Sequence, residues 1–134
     1  MPTITGVSHI ELTVRDASRS AAWYERVLGM RRVAEESDGS SHVINLVHPT
    51  AGVAVGLRTY DSADGEVFSE FLVGLHHLSL SVESREELDT WANHLDGCEV
   101  SHSAIREMSY GSMLIFRDPD NVQLELFVWS GRFN

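Results

Sequence analysis

The chain has 134 residues, 43% of them hydrophobic and 22% charged, with a formal net charge of −10 from 20 acidic and 10 basic side chains. That length and composition fit one compact domain with a core of its own, and the acidic balance argues against nucleic acid and anionic membranes as partners. The single Cys98 excludes an intrachain disulfide and a cysteine-built zinc site, and neither a membrane-length apolar run nor a signal-peptide pattern is present, so a cytoplasmic protein is expected.

Residues 7–14 alternate, with Ile10, Leu12 and Val14 on one face and His9, Glu11 and Thr13 on the other, which is the period of a strand with one covered face. Residues 17–28 have helical spacing, with Asp16 or Ser18 as cap, Ala21, Tyr24 or Glu25, and Leu28 on one side, and Gly29 as terminator. A short strand is expected at residues 30–34 and a polar loop at 35–41. Strands follow at 42–47 and 53–57, separated by a turn through Pro49 and Gly52. Residues 59–71 form an acidic connection containing Gly and Ser.

The pattern then starts again. Residues 75–82 repeat the first strand, with His77 at the place of His9, Leu80 at that of Leu12 and Val82 at that of Val14. Residues 84–95 read as a second helix, opened by a capping box of Ser84 and Glu87, striped by Leu88, Trp91, Ala92 and Leu95, and ended by Gly97. A strand is expected at 99–103, a loop at 104–110 and a strand at 111–117. Asp118-Pro119-Asp120-Asn121 reads as a tight turn leading into a last strand. In that strand Val122, Leu124 and Leu126 alternate with Gln123, Glu125 and Phe127. Each half is therefore β-α-β-β-β, giving module one over residues 5–58, a linker over 59–73 and module two over 74–129. Such an internal repeat constrains the fold more than any single element does.

The repeat also carries the functional expectation. Equivalent strands of two similar modules belong near a pseudo-twofold axis, so His9 and His77 should face one shared cleft. Glu125 lies on the strand that closes module two. A carboxylate in mid-strand on a concave face must be paired, protonated or metal-bound. Two neutral imidazoles and one carboxylate from three strands make a donor set that holds a divalent ion and leaves positions open for substrate or water.

The paired modules, Trp23-Tyr24 followed by Leu28-Gly29, the two histidine strand starts and Arg117-Asp-Pro-Asp-Asn…Glu125-Leu126 together resemble the vicinal oxygen chelate superfamily. That group contains glyoxalase I, methylmalonyl-CoA epimerase, extradiol dioxygenases, fosfomycin-resistance enzymes and bleomycin-resistance proteins. The resemblance implies an α+β fold of two βαβββ modules curling into a partly open mixed β-barrel. It implies a metal held by His9, His77 and Glu125, with Glu125 also catalytic. It further implies a homodimer, in which His9 can meet the His77 and Glu125 of the other chain.

The departures from the family narrow the reaction. Glyoxalase I and the epimerase carry a fourth ligand on the last strand of module one, where alignment with Glu125 gives Gly56. Extradiol dioxygenases place a tyrosine where this chain has Ile115, fosfomycin enzymes have one near that position, and the dioxygenases add a histidine where this chain has Arg106, Glu107 and Met108. Plain catechols are therefore expected to be poor substrates.

Glu11, Arg58, Ser79, Tyr110 and Ile115 are the candidate substrate contacts. Glu11 and Thr13 follow His9 on the cleft face, Ser79 and Ser81 follow His77, and Arg58 lies two residues beyond Gly56 on the same face. His76 falls on the face opposite His77 in a regular strand and is not expected to ligate.

Two classes of function follow. One is a metalloenzyme using Fe²⁺, Mn²⁺, Zn²⁺, Ni²⁺ or Co²⁺ on a small molecule with vicinal oxygens, by dioxygenase-like or by lyase- or isomerase-like chemistry. The other is a metal-free protein that sequesters a drug-like compound in the same cleft. Metal content after purification without chelator separates them.

Overall fold

The computed structural model describes residues 1–62 and 65–131, and it divides into two compact units, Met1–Glu66 and Val67–Asn134. Each is a βαβββ module. In module one the elements run β1 (Ile10–Thr13), α1 (Ala17–Leu28), β2 (Arg31–Ser37), β3 (Ser41–Val47) and β4 (Ala54–Tyr60). In module two they run β5 (Leu78–Ser81), α2 (Arg85–Gly97), β6 (Arg106–Met108), β7 (Gly111–Arg117) and β8 (Gln123–Trp129). Both sheets have the same order, β1-β4-β3-β2 and β5-β8-β7-β6, with the first strand parallel to the last and the other pairs antiparallel. Neither sheet closes on itself.

One face of each sheet is covered by its own helix. In module one Leu12, Ile44, Leu46, Val55 and Leu57 are buried with Ala21, Tyr24, Val27 and Leu28 of α1. In module two Leu114, Phe116, Leu124 and Leu126 are buried with Leu88 and Leu95 of α2. Each large aliphatic or aromatic side chain so buried contributes roughly 1.5–3 kcal/mol of transfer free energy. The caps are local and legible. The Asp16 carboxylate accepts from the Arg19 amide at 3.0 Å, Gly29 is left-handed at φ 66°, and the Ser84 hydroxyl accepts from the Glu87 amide at 3.2 Å. Gly97 lies inside α2 rather than ending it, and Cys98 is the cap.

Two segments differ from the sequence expectation. The polar residues 35–37 continue β2, and the chain turns only at Asp38, whose carboxylate accepts from the amides of Ser40 (3.1 Å) and Ser41 (2.8 Å). All seven residues of β2 are exposed, and it lies at one edge of its sheet, opposite the β1 edge that keeps Leu12 buried. An outermost strand with two wet faces shows no alternation and so looks like a loop. Residues 99–103 are not a strand. Glu99 is left-handed (φ 58°) and the Val100 amide bonds back to Leu95 at 2.9 Å, which closes the helix end and prevents extension. Only an isolated bridge, His102 to Phe116, remains there, and β6 forms within the expected loop instead.

The turn before β8 follows its sequence closely. The buried Asp118 accepts from the amides of Asp120 and Val122, each at 2.9 Å, and Asn121 takes the left-handed position at φ 66°. Arg117 at the end of β7 makes a two-pronged pair with Glu70 (2.7 and 3.0 Å), and the Phe68 amide donates to the Asp120 carbonyl at 2.9 Å. The later part of the acidic connection is thereby fastened to module two.

Candidate metal centre

The parallel pairing of the first and last strands of each module sets up two equivalent columns across the uncovered faces. In module two the column is Ser79–Glu125–Ile115. In module one it is Glu11–Gly56–Asn45. The registers thus put Gly56 at the place of Glu125, as the repeat implies.

In module two Glu125 is buried, with 11% of its side chain exposed. The Ser79 hydroxyl donates to its Oε1 at 2.8 Å, and Ile115 stands on its other side. His77 Nε2 is 3.7 Å from the same Oε1. That is too long for a hydrogen bond. It is close to the separation, about 3.0–3.6 Å, of two donors that each lie roughly 2.1 Å from one shared ion. His77 precedes the regular part of β5, so it escapes strict alternation, and His76 is not turned away: the two rings meet edge to face with their Nδ1 atoms 2.8 Å apart. That contact corrects the period-2 expectation for His76.

Beyond Glu125 on the same face of β8, Phe127 and Trp129 form an aromatic cluster with Tyr110, with ring centroids 4.7–6.3 Å apart. Gly111 makes room for it, because a Cβ there would meet the Phe127 ring at 2.6 Å and the Val128 carbonyl at 2.3 Å. Tyr110 therefore belongs to this face, where the alternation of the last strand already puts Phe127, and the ring contacts add Trp129.

In module one the place of the Glu125 side chain is taken from the neighbouring strand. A Cβ on Gly56 would lie 3.1 Å from Glu11 Cγ, from Glu11 Oε1 and from Asn45 Oδ1. The Glu11 carboxylate lies over the glycine and accepts from Arg58 Nη2 at 3.0 Å, while Arg58 Nη1 donates to the Ser41 hydroxyl at 2.7 Å. The Glu11 bond raises the Arg58 guanidinium above its ordinary value. A glycine among bulky strand residues was the available signal for this close approach. His9 is exposed just before β1, with Nδ1 2.8 Å from the Ser8 hydroxyl.

Within each module, among the described residues, no three His, Cys, Asp or Glu side chains gather as a metal-holding group. Module two brings two together, His77 and Glu125. No helix of the described residues is long and apolar enough to cross a membrane.

Comparison with known proteins agrees with this architecture. The chain is 34% identical to a glyoxylase/bleomycin resistance protein/dioxygenase domain from Frankia sp. EAN1pec, with 95% of this chain and 99% of that one aligned and a TM-score of 0.88. It shares its fold with the fosfomycin resistance protein FosX from Listeria monocytogenes (21% identity, 96% and 94% coverage, TM-score 0.74). It is 26% identical over 122 residues to a Bacillus subtilis (strain 168) protein named "Putative ring-cleaving dioxygenase MhqA", and spans 39% of the length of that relative. The family profile described as Glyoxalase/Bleomycin resistance protein/Dioxygenase superfamily matches residues 6–126, and the chain belongs to that superfamily.

Proposed function

We propose that the protein is a divalent-metal-dependent enzyme acting on a small molecule with two adjacent oxygens, its ion held by His9, His77 and Glu125. The observation that carries this reading is the pair in module two: a buried carboxylate oxygen and an imidazole nitrogen face each other at 3.7 Å with no direct hydrogen bond. A buried charge needs a partner, and a cation between these two atoms supplies it. His9 enters from the repeat, as the counterpart of His77. A FosX structure complexed with Mn(II) and a dihydroxypropylphosphonic acid supports the choice of a divalent ion. When bound, such an ion acts as a Lewis acid toward substrate oxygens.

The chain's own residues do the rest. Glu125 offsets the cation's charge, and Ser79 fixes that carboxylate through Oε1. Ile115 keeps its other side dry. Tyr110, with Phe127 and Trp129, offers an apolar wall to the body of a substrate. Arg58, oriented by Ser41 and Glu11, presents positive charge to an anionic one. Fe²⁺, Mn²⁺, Zn²⁺, Ni²⁺ and Co²⁺ all suit two imidazoles and a carboxylate.

The test is metal content and thermal unfolding of Glu125→Gln and Leu124→Asp beside the parent. Glu125→Gln keeps the shape and removes the anionic ligand, so the ion is lost while the fold survives. Leu124, fully buried on the α2 side, has no such role, and an aspartate there costs several kcal/mol of stability. Full metal occupancy in Glu125→Gln, or a parent that holds no metal at neutral pH, replaces this reading with that of a metal-free sequestering protein.

A further inference from the structure

The geometry points to an elongated substrate, with its two adjacent oxygens at Glu125 and an aromatic body that lies along β8 as far as Trp129. This deepens the metal reading and rests on it, because the ion fixes where the oxygens sit.

Strand geometry sets the distances. The uncovered face of β8 presents Gln123, Glu125, Phe127 and Trp129 in order, while the alternate Leu124 and Leu126 are buried with α2. Same-face neighbours on a strand stand about 7 Å apart, so Phe127 lies about 7 Å and Trp129 about 14 Å beyond the carboxylate. Opposite Phe127 on β7 stands Met113, and opposite Trp129 the row crosses Gly111 to Met108 of β6. Ser81 and Arg106, on the two outer strands, flank the row of Phe127. The middle of the face therefore turns from the polar pair at Ser79 and Glu125 to an apolar strip.

Exposure divides that strip into a floor and a rim. Phe127 and Met113 are 7% and 9% exposed, whereas Trp129 is 57% and Met108 46% exposed. Tyr110 closes the corner. Its ring stacks with Phe127 at 21° and is tilted 48° to Trp129, and Phe127 meets Trp129 edge on at 69°. The Ser130 amide donates to the Tyr110 carbonyl at 3.0 Å, which ties this hairpin residue to the end of β8. Rings so inclined offer a face and an edge to a further ring, the two arrangements aromatic pairs prefer. A tryptophan left more than half open keeps apolar surface in water, and a ligand body laid on it removes that surface. What selects a substrate body as the occupant is continuity: Trp129 and the candidate ligand Glu125 share one face of one strand. A molecule no larger than its chelated unit reaches Phe127 at most. Trp129 is met only by an aryl substituent that extends beyond that unit, so Trp129 is the residue that sets specificity.

Calorimetric titration of the protein loaded with Mn²⁺ or Zn²⁺ tests this with hydroxamates, which chelate through adjacent oxygens. 4-Phenylbutyrohydroxamic acid should bind about tenfold or more tightly than acetohydroxamic acid, the gain expected from burying one ring. Its cyclohexyl counterpart should bind about threefold more weakly than the phenyl compound, because it lacks the aromatic pairing. Trp129→Ala should remove most of the phenyl advantage and Trp129→Phe should keep most of it. Neither should alter acetohydroxamic acid binding, since the side chain lies about 14 Å along the strand from Glu125. The emission of Trp129, read as the difference between parent and Trp129→Phe, should respond to the phenyl compound alone. Equal affinities of the phenyl compound and acetohydroxamic acid in a metal-loaded parent overturn the elongated substrate and leave the metal reading standing, the result expected if a second copy covers Trp129. A phenyl advantage that survives Trp129→Ala, or a cyclohexyl compound that binds as tightly as the phenyl one, overturns the aromatic assignment. A parent that holds neither ion, or a loaded parent that binds neither hydroxamate, overturns the metal reading itself.

Discussion

At the scale of single residues, two strand glycines separate a tight fit from an adjustable one. A Cβ at Gly111 would strike the Val128 carbonyl at 2.3 Å, and a backbone oxygen inside an antiparallel ladder cannot yield without breaking strand pairing. A Cβ at Gly56 would meet the Glu11 and Asn45 side chains at 3.1 Å, and these can rotate. Gly111→Ala should therefore cost about 1–3 kcal/mol, as overpacking does, and Gly56→Ala less. Chemical denaturation of both variants checks the order, and equal losses would contradict this account. Gly56 was legible in the sequence as the position where the repeat loses its carboxylate. That Glu11 covers it from the next strand was not, because strand adjacency is decided by pairing between residues 45 positions apart in the chain.

Among the elements, those with local signals formed where the sequence put them. Both helices start at their capping side chains, and the turn before β8 uses Asp118 and Asn121 as their chemistry suggests. The contact that fastens residues 67–70 to that turn has no local signal. It does have a measurable consequence. Arg117 holds the Glu70 carboxyl well down, from the ordinary 4.5 to about 2. A group depressed in the folded state lends stability that is fully present above its unfolded value and is lost as pH falls through its folded value. Between pH 4.5 and about 2, the parent should thus lose stability faster than Glu70→Gln, which has no proton to take up there. Asp38, also lowered to about 2, contributes equally to both proteins and drops out of the difference. Urea midpoints at a series of pH values measure it. Parallel curves across that window would mean that Glu70 is not bound by Arg117 in solution.

For the whole molecule, the βαβββ repeat accounts for the shared sheet order and for the columns that align Gly56 with Glu125. It also leaves apolar surface. Ile4, Val7, Phe71, Leu72 and Val73 are all at least 70% exposed, and β2 runs along an outer edge of its sheet with every residue exposed. Exposed apolar side chains and open strand edges are what subunit contacts cover. A homodimer at micromolar concentration is therefore the expected state, and sedimentation equilibrium is its measure. A monomer at every concentration up to tens of micromolar would leave this surface unexplained by self-association.

The sequence by itself determined the repeat, the helices and their N-terminal caps, the strand faces and the residue types at the candidate centre. All of these depend on neighbours within a few positions, or on one half of the chain matching the other, and both are visible in one dimension. Only the tertiary structure decided what stands beside what. It put His76 against His77, folded Glu11 over Gly56, ran Arg117 through Gln123 to His76, and extended β2 through polar residues that looked like loop. Those contacts join residues brought together by strand register, or lie where the chain leaves regular alternation. Periodicity within one strand carries no information about either.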